Sequence, residues 1–82
     1  MDEVIKLRGA RLDYRQQLKV LEYRAENHIM TIRDKLDPLI EWDEIEIDHA
    51  EQAMISLKVI LKQANDIREK IEDINRRIGA DE

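Results

Sequence analysis

From Ala50 to Ile78 an apolar residue recurs at every third or fourth position: Ala50, Ala53, Leu57, Ile60, Ala64, Ile67, Ile71, Ile74 and Ile78. That spacing is the a/d seam of a coiled coil, a stripe that another helix must cover. A second seam, less pure, runs through Val4, Leu7, Arg11, Tyr14, Leu18, Leu21, Ala25, His28 and Ile32. Only Asp37-Pro38 interrupts the periodicity. Pro38 disfavours helical geometry at Asp37 but suits the first position of a helix, with Asp37 as its N-cap. The pattern therefore predicts one domain of two helices, the first over about residues 3–36 and the second over about 38–78, the latter closed by Gly79. They would be roughly 50 and 60 Å long. Gly9 lies inside the first helix and weakens it by about 1 kcal/mol relative to Ala, which leaves room for a fray or kink there. Asp66 and Glu69 have the spacing of a capping box, but the seam continues through them and argues against a third helix.

Two long helices joined by a tight turn fold back antiparallel and press their seams together. With the turn at Asp37, residues whose numbers add to about 75 lie level. Leu18 then faces Leu57, Tyr14 sits near Leu61, and Ile71 reaches Val4. Opposite the seams lie Ile5, Leu12, Val20, Tyr23 and Met30 on the first helix and Ile55 and Val59 on the second. The same height rule sets Ile55 level with Val20, giving an outer apolar patch. Around Ala53 to Leu61 the second helix is apolar nearly all round, as a helix with several neighbours is. The fold class expected is all-α: an antiparallel, coiled-coil-like two-helix hairpin that self-associates into a four-helix bundle, most simply as a homodimer through Val20, Tyr23, Met30, Ile55 and Val59.

Composition supports this picture. At 82 residues the chain is too short to build a large enclosed core, and oligomerisation is a common remedy. Charged residues make up 40% and there is one Pro, a balance typical of long helices and, given the periodicity, not of a disordered chain. The absence of Cys excludes disulfides, thiolate metal sites and a cysteine nucleophile. With no secretion signal or membrane-spanning stretch, the sequence favours the cytoplasm.

The net charge of −5 argues against a nucleic-acid coat protein. Charge is nonetheless segregated: the first helix carries Lys6, Arg8, Arg11, Arg15, Lys19 and Arg24, whereas residues 34–51 hold eight Asp and Glu against Lys35 alone. The basic stripe lacks interleaved aromatics, so bridging to Asp66, Glu69 and Asp73 across the hairpin is expected, and a weak nucleic-acid role is only an alternative. Arg11, on the seam, is the member expected to have a specific partner.

Two constellations are candidates for function. Glu46 and His49 form an E-x-x-H pair on one helical face, the spacing that di-iron bundles use. The height rule brings Glu26 and His28 opposite, so Glu46, His49, Glu26 and His28 are candidate ligands for iron, manganese or zinc. Competing with this is a pairing of Glu46 with His28 or with an Arg of another chain. The second constellation is the acidic stretch around the sole Trp, with Glu41, Trp42, Glu44 and Glu46 as a docking surface for a basic protein partner. The competing role for Trp42 is to cap the core over Leu36 and Leu39. With no phosphate-binding Gly loop and only Ser56 and Thr31 as hydroxyl nucleophiles beside the tyrosines, no catalytic apparatus is visible. The expected function is therefore non-enzymatic and needs no cofactor: a protein-interaction module such as an adaptor, scaffold, assembly factor or inhibitor.

Overall fold

A computed structural model describes residues 2–79, and it consists of two helices, α1 (Asp2–Lys35) and α2 (Ile47–Ile78), packed against each other. Their ends follow the helix dipole, with Asp2 and Glu3 opening α1, Arg33 and Lys35 closing it, Asp48 opening α2, and Arg76 and Arg77 closing that. Gly79 ends α2 in the left-handed conformation (φ 69°), its N–H directed at the carbonyls of Asn75 and Arg76, as the sequence predicts. Helix α1 runs through Gly9, and α2 runs through Asp66 to Glu69 without restarting.

The second helix does not begin at Pro38. Residues 36–46 form a loop, because Asp37-Pro38 opens a β-turn instead of a helix. The Asp37 carboxylate accepts from the Leu39 N–H (2.8 Å) and the Asp37 carbonyl from the Ile40 N–H (3.0 Å). A second turn follows, in which Glu41 C=O accepts from Glu44 N–H (2.9 Å). Ile45 C=O then accepts from Ile47 N–H (3.0 Å), with Glu46 between them at φ −83°, ψ 72°, the geometry of an inverse γ-turn. Extending α2 back to Pro38 would stack Glu41 on Glu44 and Asp43 on Glu46 at i,i+3, unfavourable like-charge pairs that the loop relieves.

Moving the turn moves the register. Arg11 donates to Asn75 (2.7 Å), the Lys70 ammonium stands 5.5 Å from the centre of the Tyr14 ring, Leu21 packs on Ile60 and Ala64, and Lys35 pairs with Glu46. Relative to a turn at Asp37, α2 is displaced by about two helical turns. Two turns is close to one heptad, so seam still meets seam with different partners. Leu18 joins the Leu21–Ile60–Ala64 cluster, and Tyr14 meets Lys70 in place of Leu61. In the observed register helices of 34 and 32 residues match end to end, and Ile71 and Ile74 are buried.

The core is thin. Its buried members among the described residues are Leu21, Ala50, Ala53, Ile60, Ala64, Ile71 and Ile74, three of them alanines, and none of the described large side chains is completely covered. The hairpin measures 62 × 17 × 14 Å with a radius of gyration of 18.1 Å, against about 12 Å for a compact domain of this length. Its surface is 6819 Å², whereas a compact monomer of this mass exposes about 5,200 Å².

Candidate interaction surfaces

The loop places its charge at one end of the rod. Leu39 and Trp42 point outward, 93% and 83% exposed, while Ile40 and Ile45 are half-buried. Trp42 therefore does not cap the core over Leu36 and Leu39. Two consecutive turns direct it into solvent among the exposed carboxylates of Glu41, Asp43 and Glu44.

Glu46, the fourth residue of the expected docking set, is engaged elsewhere. Its carboxylate pairs with the Lys35 ammonium at 2.5 Å, joining the last residue of α1 to the residue before α2. The hydrogen bond from Lys35 and its positive charge hold the Glu46 carboxyl below its ordinary value, with a smaller contribution from His49. Glu46 makes no side-chain cap to α2. Within the chain its partner is thus not His28 but Lys35, which the shifted register brings level.

The same shift disperses the four candidate metal ligands. Glu46 lies level with Lys35, seven residues beyond His28, which is about 10 Å along the helix axis. Within one hairpin, Glu46 and His49 sit at the loop end of α2, with Glu26 and His28 two turns or more beyond Glu46 and one to two turns beyond His49. Among the described residues, no group of three or more His, Cys, Asp or Glu side chains converges as a metal site would require.

Along the basic stripe, Arg11 has the specific partner that its seam position implies, Asn75, in a part-buried hydrogen bond. Arg15 is engaged as well. Asp73, expected opposite the stripe, lies within reach of Arg77 (3.2 Å) and Arg76 (3.9 Å) on its own helix.

The apolar surface is larger than the buried core. Among the described residues fourteen large apolar side chains are exposed, including all five expected at an oligomer interface: Val20, Tyr23, Met30, Ile55 and Val59. They do not make one patch. Residues opposite the seam of α1 and residues opposite the seam of α2 point away from each other, because the two seams face inward. Tyr23 and Met30 thus line the outer edge of α1, and Ile55 lines the outer edge of α2. The shifted register also puts Ile55 level with about Ile29 instead of Val20.

Between these edges lie two flat faces, each with an open groove. One is lined by Gln17, Val20, Leu21 and Arg24 against Gln63, Asp66, Ile67 and Lys70, so its apolar floor has a polar rim. The other has a more apolar floor, with Leu18, Ala25 and Ile29 against Ile60, Leu61 and Ala64, and a charged rim of Lys19, Glu22, Glu26 and Arg68. Spacing of seven adds Met54 and Ile47 to the line of Leu61 on this second face. The a/d seam of α2 conceals this neighbouring row, which can be found in the sequence by following position e beside it.

Among the described residues, no helix is long and apolar enough to cross a membrane. Comparison with known protein families, with characterised proteins and with solved structures finds no match.

Proposed function

We propose that this chain works as a non-enzymatic protein-interaction module: a helical hairpin that self-associates, as in a four-helix bundle, and presents its acidic loop to a further protein. The observation that carries the reading is the imbalance, among the described residues, between a seven-residue core and fourteen exposed large apolar side chains. The surface exceeds that of a compact monomer by roughly 1,600 Å² per chain, and a standard interface buries about 800 Å² on each partner. A second hairpin is the simplest means of covering such a surface.

The loop supports the second half of the proposal. Trp42, exposed beside Glu41 and Glu44, has the composition of a hot spot for a basic partner. Sedimentation equilibrium at micromolar concentration tests self-association; a fully helical strict monomer would overturn it. For the loop, Trp42→Ala combined with Glu44→Lys should preserve the oligomer and abolish binding of partners purified with the wild-type protein. Retention of every partner would remove the loop from the reading.

A further inference from the structure

We propose that a second copy of this chain docks on the flat face bearing Ile29, Ile47, Met54 and Leu61, with the two hairpins antiparallel and a two-fold axis passing at the level of Met54. The proposal rests on the self-association reading and specifies its surface. Ile47, Met54 and Leu61 stand seven residues apart, forming a row beside the seam that α1 covers, and each is about half exposed. A helix apolar at a, d and e needs a neighbour on its e side as well as on its seam.

This face is self-complementary. A two-fold axis at Met54, perpendicular to the helices, exchanges Ile47 with Leu61, so each meets an apolar side chain of the other copy. Flanking the row, Glu51 lies three residues before Met54 and Lys58 four after it. The same axis sets Glu51 against the partner's Lys58.

Helix α1 repeats the pattern at the same height. Ile29 is level with about Met54 in the register bracketed by Leu21–Ile60 and Tyr14–Lys70. Glu26 precedes Ile29 by three residues and Arg33 follows it by four. The two-fold operation therefore pairs opposite charges on both helices around one centre.

Orientation follows from the loop. Parallel hairpins would place two acidic loops, each carrying Glu41, Asp43 and Glu44, side by side within range of mutual repulsion. Antiparallel hairpins put them at opposite ends and bring each toward the partner half that carries Arg68, a lining residue of the same groove. The opposite flat face, with its rim of Arg24, Gln63, Asp66 and Lys70, has no comparable apolar row among the described residues.

Because the chain has no Cys, single cysteines report the arrangement directly. The full-length Met54→Cys and Ile29→Cys variants, each alone under mild oxidation, are expected to form disulfide-linked dimers, since each residue meets its own copy within the 4.4–6.8 Å Cα separation that a disulfide allows. If neither crosslinks alone but a mixture of the two does, the hairpins are parallel and the proposed axis is wrong. Leu61→Glu should raise the dimer dissociation constant at least tenfold in sedimentation, whereas Val20→Glu on the other face should leave it within about threefold. A dimer that is indifferent to Leu61→Glu, together with no crosslinking of the Met54→Cys variant, would overturn this face yet leave self-association standing. A wild-type monomer would overturn both.

Discussion

Ile60 and Ile55 sit five residues apart on α2 and differ mainly in burial, 7% against 50% exposed, so truncating each measures what the seam contributes. Ile→Ala deletes three carbons, worth about 2.4 kcal/mol when fully buried at about 0.8 kcal/mol each. Ile60 lies in the Leu21–Ile60–Ala64 cluster with Leu18, Ala25 and Ile67 around it. A cavity there adds a small cost, since the narrow core can collapse, and alanine's higher helix propensity returns roughly 0.4 kcal/mol. Ile60→Ala should therefore destabilise by about 2–3 kcal/mol, a large share of the roughly 4–12 kcal/mol expected for a domain of this length. Ile55 forfeits only about half the transfer energy and gains the same propensity, so Ile55→Ala should cost under about 1 kcal/mol. Urea unfolding followed by helical circular dichroism gives both values; it should be repeated at tenfold lower protein concentration, because association adds stability by mass action. If Ile60→Ala costs no more than Ile55→Ala, α1 and α2 do not meet along this seam. A cost at Ile55 that changes with concentration would identify the outer edge of α2 as a further interface.

Gly9→Ala should stabilise the protein by about 0.5–1 kcal/mol, because a Cβ there meets nothing within 4 Å and α1 is continuous through it; an unchanged or lower melting temperature would refute this. Gly79→Ala should lower stability by about 1 kcal/mol despite equally open space, since its φ of 69° strains any L side chain; a cap that tolerates alanine at no cost would contradict the assigned terminus. Glu46, depressed by Lys35, should titrate below the ordinary glutamate value in carboxyl-detected NMR, and Lys35→Met should return it. A folded-state value below the unfolded one means that the pair stabilises the loop closure at neutral pH and loses its effect as pH falls through the lowered value. Identical Glu46 titration with and without Lys35 would remove the pair from the structure.

Periodicity made α1, the body of α2 and the Gly79 cap legible, because a 3,4 repeat and a left-handed glycine each have one local solution. Asp37-Pro38 has two. An Asp side chain that accepts from the backbone two residues on, followed by Pro with its fixed φ, opens a helix and a β-turn equally well. What separates them lies outside the dipeptide. The acids from Glu41 to Asp48 repel one another along a helix, and a loop over residues 36–46 relieves that repulsion. Because that loop shifts the register by nearly a heptad, seam still meets seam while the cross-helix pairs expected from a turn at Asp37 are displaced. The candidate metal site inherits the displacement. Glu46 is level with Lys35 instead of Glu26 and His28, and, whatever the register, residues opposite two inward-facing seams lie on opposite edges. The row Ile47–Met54–Leu61 is independent of the register, since it lies on one helix and its spacing does not depend on where the chain turns.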